Sequence, residues 1–174
     1  ILWRRAPHPV VLFGRAICFM DKCLNRRRGV TGKSRQARGI LAIVMLVVLA
    51  AMVGWGLSFG GPVVTCIIVA VLLAARSLDE HIRAVATAMG VGIAAARTAV
   101  GMIVGRDTKS MKKGDIARAA IETGAENLSD GVIAPALWFL VGGLQGLLAY
   151  KMVNTADSMI GYRNAKYRAC LLYT

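Results

Sequence analysis

Acidic side chains are scarce in this sequence, and they are unevenly placed. It has nine Asp and Glu residues against 22 Lys and Arg residues, a net charge of +13, and Asp21 is the only acidic residue before Asp79. Aromatic residues are also few, at 6%. They are not interleaved with the basic residues, as they are in proteins that bind single strands. The high positive charge is therefore not a nucleic-acid signature.

Nucleotide and metal motifs built on glycine or cysteine are absent as well. The four cysteines form no CxxC pair, which gives little support to a cysteine metal site or a disulfide framework. Gly32-Lys33-Ser34 resembles the end of a P-loop, but Arg27 occupies the position of its first glycine. Gly90-Val91-Gly92 lacks the third glycine of a dinucleotide fingerprint. No strand pattern and no repeat stands out.

Long uncharged runs are what the sequence does have. It is 56% hydrophobic, and residues 39–75 carry no charge over nearly twice the roughly 20 residues that a spanning helix needs. Gly60-Gly61-Pro62 predicts a turn between two helices at about residues 40–59 and 63–75. A second uncharged run, residues 131–150, is interrupted by Pro135 and by Gly142-Gly143. The alternative is a pair of helices in a large soluble core.

These runs predict an all-α, polytopic helical membrane protein. Ten of the 22 basic residues lie between Arg4 and Arg38, so residues 1–38 are expected to be a basic cytoplasmic segment. Residues 39–169 form the expected helical membrane domain. Further helices are predicted at about residues 15–24, 76–104, 116–124 and 151–161, with a charged loop at 25–38, a polar loop at 105–114, Asp115 as an N-cap and a turn at Asp130-Gly131.

The topology of this domain has two solutions. The positive-inside rule places residues 1–38 and 76–118 in the cytoplasm. One more crossing would then put Lys151 and the basic residues Arg163, Lys166 and Arg168 outside. Either residues 131–150 are re-entrant and break at Gly142-Gly143, or a helix at residues 84–105 also crosses.

The ends of the sequence predict a fragment. It begins with Ile1, and no signal peptide opens it. The last five residues, 170–174, are the translation of TGT CTC TTA TAC ACA, which resembles a sequencing-adapter tail. We expect these five residues to be non-native.

A cluster of polar residues beside the apolar runs indicates a site. Asp115, Glu122 and Glu126 have a spacing that places them on one stripe of a helix, and Asn127, Asp130 and Asp107 lie nearby in the sequence. A solvated acidic face would show the same spacing. Beside a membrane, however, carboxylates and amides favour a cation site, and Mg²⁺ suits these oxygen ligands.

A second polar group follows the last apolar run. Lys151, Asn154 and Ser158 would line one helical face, with Asp157 on its flank. Asp157 lies among apolar sequence neighbours, where a carboxylate requires a cation or a donor. Arg106 and Lys151 could hold phosphate oxygens. His81, one turn after Ser77, is either a packing residue or a base.

Several of these stretches resemble the CobD/CbiB family of membrane proteins, the adenosylcobinamide-phosphate synthases. The resemblance extends over nearly the whole chain up to Tyr167. It is carried by HPVVLFGRAI (8–17), ARSLDEH (75–81), VGRDT (104–108), ETGAENLSDGVIAP (122–135), GGLQG (142–146) and YKMVNTADSMIGYRNAKY (150–167).

The resemblance implies an ATP- and Mg²⁺-dependent ligase of cobalamin biosynthesis in the cell membrane. Such an enzyme joins a propionate carboxyl of adenosylcobyric acid to the amine of aminopropanol or its phosphate. The implied roles are catalytic or metal carboxylates, phosphate binders and orienting groups. The catalytic candidates are Asp107, Glu126, Asp130 and Asp157, of which Glu126, Asp130 and Asp157 are metal candidates; Arg106 and Lys151 bind phosphate; Asn127, Asn154 and Ser158 orient substrate.

The implied partners are the corrinoid, the amine, the lipid bilayer and other membrane enzymes of the corrinoid pathway, without nucleic acid. The alternative is a membrane sensor or regulator without catalysis, of the kind found in the AmpE-like branch of the same superfamily. The VGRDT and AENxxDG motifs and the NTxDSMxGY motif favour the ligase.

Overall fold

The computed structural model describes residues 9–24, 32–73 and 75–160, and these residues are mostly helical and include no strand. The expected all-α class is therefore confirmed. The predicted tail at residues 170–174 and the basic residues Arg163, Lys166 and Arg168 lie outside the described residues. The elements in chain order are α1 (Pro9–Leu24), α2 (Gly32–Ser58), α3 (Gly61–Leu72), α4 (Ala75–Val91), α5 (Ile93–Gly101), α6 (Lys113–Leu128), a π-helix (Ser129–Ile133) and α7 (Ala134–Ile160).

Several predicted element boundaries are wrong. α1 begins at Pro9 and not at about residue 15, and α6 continues to Leu128, beyond its expected end at about residue 124. α2 begins at Gly32, inside the predicted loop, and the helix expected over residues 76–104 is divided at Gly92 into α4 and α5. The turn expected at Asp130-Gly131 is a π-helix, so the chain stays helical from α6 into α7, which also includes the separate helix expected at residues 151–161.

The start of α6 shows how Asp115 acts. Asp115 is the third residue of the helix, and its carboxylate accepts a hydrogen bond from the backbone N–H of Lys112 at 3.1 Å. It therefore stabilises the helix start from inside the first turn and is not the predicted N-cap residue.

The described residues of 9–24, 32–72 and 137–160 form one compact unit. Its core is built from buried side chains on α1, α2, α3 and the later part of α7, among them Ile17, Leu46, Leu72 and Leu147. Gly54 is buried where α2 meets α7, and a Cβ there would lie 2.6 Å from the carbonyl oxygen of Leu144. Small residues at such contacts let helix backbones approach closely, as in membrane bundles.

Large apolar side chains cover the outside of these helices. Val44, Met45, Val48, Leu49 and Met52 on α2 are all about half exposed or more. Only 17% of the most apolar stretch within residues 37–58 is buried inside the protein. Three stretches of the described residues are long and apolar enough to cross a membrane, namely Ala37–Ser58, Gly61–Val91 and Lys113–Met159. This surface is that of a protein whose solvent is lipid.

α7 folds back on itself at Gly142-Gly143. Gly143 has φ 56° and ψ −149°, a conformation that only glycine adopts readily. A Cβ on Gly146 would collide with the carbonyl oxygen of Trp138, whereas residues eight apart in a straight helix are separated by about 12 Å. The break required by the re-entrant solution for residues 131–150 is therefore present.

Residues 73–136 form the other compact unit. Its core combines Val85 of α4, Val100 of α5 and Ile116 of α6, each with 1% exposure or less. α4 and α6 meet at Gly124, where a Cβ would lie 3.1 Å from Cδ1 of Ile82. This close approach sets the spacing of the two helices that carry the candidate site.

The Gly54 contact predicts that Gly54→Ala destabilises the first unit. The new methyl group would overlap the backbone of α7, and overpacking of this kind costs about 1–3 kcal/mol of the free energy of unfolding. The measurement is the thermal unfolding midpoint of the detergent-solubilised full-length gene product.

Gly56→Ala on the same helix is the matched control, because no atom lies within 4 Å of a Cβ at Gly56. We expect this variant to unfold at or above the wild-type midpoint, since alanine favours a helix over glycine by about 1 kcal/mol. Equal midpoints for the two variants would contradict the close contact.

Candidate functional site

A cavity of about 300 Å³ opens in the second unit between α4, α6 and the segment after α5. One side is apolar, with Leu78 and Ile82 from α4 and Met102 and Ile103 from the segment after α5. The polar side is formed by Ser77, His81, Thr123 and Asn127, with Gly131 of the π-helix. π-helical turns inside α-helices often occur at functional sites, so this cavity is the candidate site.

His81 is held in one orientation by the preceding turn of α4. Its Nδ1 lies 2.6 Å from the backbone carbonyl oxygen of Ser77 and 3.4 Å from the Ser77 hydroxyl oxygen. A carbonyl oxygen can only accept a hydrogen bond, so in this contact Nδ1 carries the proton. The Nε2 atom of the neutral ring then keeps its lone pair.

The loop between α5 and α6 is fixed to α5 by two hydrogen bonds. The Thr108 hydroxyl donates to the carbonyl oxygen of Arg97 at 3.0 Å. Nε of Arg97 donates to the carbonyl oxygen of Met111 at 2.9 Å. Arg97 therefore acts as a structural clamp, and the loop that carries Arg106 and Asp107 has a defined course.

Arg106 and Asp107 are both exposed on this loop. Nη2 of Arg106 lies 3.7 Å from a carboxylate oxygen of Glu122, and both side chains are about 60% exposed. Such a pair contributes about 0–1 kcal/mol, so Arg106 can exchange this partner for a phosphate at little cost. Oδ1 of Asp107 accepts the Lys109 backbone N–H at 3.0 Å, which shapes the loop.

Three other predicted residues lie at the junction of α6 and the π-helix. Asn127 lines the cavity. Glu126 is exposed, and Asp130, four residues later, is half-buried and takes part in a polar interaction. Asp115 of the predicted acidic stripe is engaged at the helix start. Among the described residues no three His, Cys, Asp or Glu side chains are close enough together to hold a metal ion.

The remaining predicted residues lie on α7 in the first unit. Lys151 is buried, with 6% exposure, and takes part in a polar interaction. Asn154 is half-buried, and the Ser158 hydroxyl donates to its carbonyl oxygen at 3.0 Å. Asp157 is exposed. The expectation that apolar sequence neighbours enclose Asp157 is therefore wrong, because Val153, which precedes it by one turn on the same face, is itself 45% exposed.

Several residues of the cavity were not predicted from the sequence. Ser77 was noted only for its i, i+4 spacing to His81, a spacing that does identify the hydrogen-bonded pair. Thr123, Met102 and Ile103 gave no signal, since a threonine inside a helix and apolar residues before a loop are common. Their role depends on how α4 packs against α6.

Comparison with known proteins gives one family. The family model described as CobD/Cbib protein matches residues 2–170. Proteins named Cobalamin biosynthesis protein CobD are 49% identical in Sinorhizobium sp (95% of this chain, 54% of the relative) and 49% identical in Brucella anthropi (96% and 53%). A relative of the same name in Geobacter metallireducens is 43% identical (94% and 53%). No solved structure matches. The chain spans about half the length of these curated relatives.

The loop clamp predicts that Thr108→Val loosens the segment around Arg106 and Asp107. Valine keeps the shape of threonine and removes the hydrogen bond to Arg97, which is worth about 1 kcal/mol. We expect backbone amides of the loop to exchange hydrogen about fivefold faster, measured by mass spectrometry. Thr98→Val is the matched control, since the Thr98 hydroxyl is exposed and bonds only within its own helix, to the Ala94 carbonyl. Equal exchange in both variants would count against the clamp.

Proposed function

The chain belongs to the CobD/Cbib protein family, and we propose on that premise that the protein is an amide-forming ligase of cobalamin biosynthesis. It joins a propionate carboxyl of adenosylcobyric acid to the amine of aminopropanol or its phosphate, with ATP as the source of energy. It acts as a multi-pass protein of the cell membrane, beside other membrane enzymes of the corrinoid pathway. The observation that carries this proposal is the family match over residues 2–170.

The chemistry requires an activated carboxyl group. A carboxylate is a poor acyl donor, so transfer of the terminal phosphoryl group of ATP first converts it to an acyl phosphate, with release of ADP. The amine then displaces phosphate and forms the amide. Phosphoryl transfer depends mainly on positioning and on neutralising charge on the phosphate oxygens.

The described residues offer groups for both demands. Arg106 carries an exposed guanidinium, able to bind a phosphate through two N–H donors. Lys151, Asn154, Asp157 and Ser158 on α7 supply a second polar set for substrate binding. Asn127 orients a ligand in the cavity, and Asp107 shapes the loop beside it.

Mg²⁺ fits the donor set near the cavity. Glu126 and Asp130 are two oxygen donors four residues apart, and Mg²⁺ is commonly held by one or two carboxylates together with water and substrate phosphates. The ion, when bound, would offset the negative charge of the phosphate oxygens.

This proposal predicts that Glu126→Gln and Asp130→Asn each lower amide formation about 100-fold or more, the scale for losing one group that stabilises transition-state charge. Both substitutions keep the side-chain shape and remove the negative charge. The assay uses the full-length gene product in detergent with adenosylcobyric acid, ATP, Mg²⁺ and aminopropanol or its phosphate, and product is quantified by chromatography.

Asp79→Asn is the matched control, because Asp79 is an exposed carboxylate of the same unit that pairs with Arg83 on its own helix. We expect it to keep wild-type activity. Full activity in both site variants would overturn their assignment. No corrinoid amide from the wild-type protein would overturn the proposed function itself.

A further inference from the structure

The size of the cavity in the second unit limits what it can hold. At about 300 Å³, it is at the lower end of small-molecule pockets, which span roughly 300–1,000 Å³. A corrin macrocycle is far larger than this volume. Of the reactants in the proposed ligation, the amine is the one that the cavity would enclose whole.

The polar groups of the cavity suit an amine. The hydroxyls of Ser77 and Thr123 and the amide oxygen of Asn127 are acceptors for N–H groups. No Lys or Arg is among the lining residues, so nothing in the described lining repels an ammonium group. The apolar side, with Ile82 and Met102, can contact the carbon chain of the ligand.

His81 supplies the other requirement of amide formation, a proton acceptor. Because Nδ1 donates to the Ser77 carbonyl oxygen at 2.6 Å, the lone pair of the neutral ring is on Nε2. Imidazole is the side chain that most often serves as a general base in proteins, and His81 lines this cavity. The same contact with Ser77 fixes the ring plane, so the base is pre-oriented.

We propose that this cavity is the binding site of the small primary amine and that His81 is the base that accepts a proton from its nitrogen. The inference rests on the proposed function, since it assigns the amine of that reaction to a place in the fold. Aminopropanol and its phosphate share the primary amine, and the experiment below distinguishes them.

The step balances with the groups already named. The bound ammonium group first loses one proton to solvent. The lone pair of the resulting free amine attacks the acyl carbon and forms the C–N bond, and the C–O bond to the phosphoryl group breaks with its electron pair leaving on phosphate. The nitrogen becomes acidic as it gives up its lone pair, and one N–H proton passes to Nε2 of His81. His81 then releases that proton to the departing phosphate, which restores the neutral ring.

The first test measures binding without turnover. Saturation-transfer NMR on the detergent-solubilised full-length gene product uses 1-amino-2-propanol and its O-phosphate as separate probes. We expect at least one probe to bind the wild type and to lose about tenfold or more in affinity in Thr123→Leu, whose larger side chain fills the cavity, and in Asn127→Leu. Thr98→Leu, exposed on α5, is the control and should bind as the wild type does.

The second test asks whether His81 acts as a base, by measuring kcat for amide formation. His81→Ala should lower kcat for amide formation about 100-fold or more, within the range for a general base, with an unchanged KM for the corrinoid. Added imidazole should restore part of the rate, which it would not do if His81 served only to hold α4 together. His81→Gln should stay inactive, and the exposed neighbour variant Glu80→Gln should be fully active.

Each outcome decides one part of the inference. Absence of amine binding to the wild type, or equal affinity in the cavity variants and Thr98→Leu, overturns the amine site. Undiminished ligation by His81→Ala, or no rescue by imidazole, overturns the base. Amine binding that depends on Thr123 and Asn127 in a protein that forms no amide would overturn the proposed function and leave the amine site standing.

Discussion

The contact between Gly124 and Ile82 is the constraint on which the candidate site depends. Without a side chain at Gly124, α6 approaches α4 until the end of Ile82 would touch an added Cβ at 3.1 Å. His81 directly precedes Ile82, and Thr123 and Asn127 flank Gly124. Close packing at one point therefore brings the imidazole, a hydroxyl and an amide to the same cavity, although they come from segments some forty residues apart.

In the first unit, helices with apolar outer faces pack against one another. Lipid tails are as apolar as leucine side chains, so burial of apolar area gives no preference for helix contact. The preference for contact between helices must therefore come from close van der Waals packing. Gly54 allows the backbone of α2 to reach Leu144, and the fold-back at Gly142-Gly143 presents the later part of α7 to α1, α2 and α3.

Local sequence patterns predicted most of the helices and the loop before α6. They did not predict the connections between helices at Gly92 and at Asp130-Gly131. Asp130-Gly131 is a common turn signal, yet the chain remains helical there, as the π-helix Ser129–Ile133. Asp157 has apolar sequence neighbours, but it is exposed, because Val153 on the same face of the helix is exposed as well. The roles of Arg106, Glu126 and Asp130 rest on residue type and motif.

The sequence by itself determined the all-α class, the apolar stretches long enough to cross a membrane and the family, because each depends on residue type and order alone. Hydropathy and motif spacing are properties of the chain before it folds. Only the tertiary structure decided that His81 of α4 and Thr123 and Asn127 of α6 line one cavity. That fact depends on the spacing of two helices, which is set by packing between segments remote in sequence, whereas the contact of His81 with the Ser77 carbonyl oxygen is local to α4.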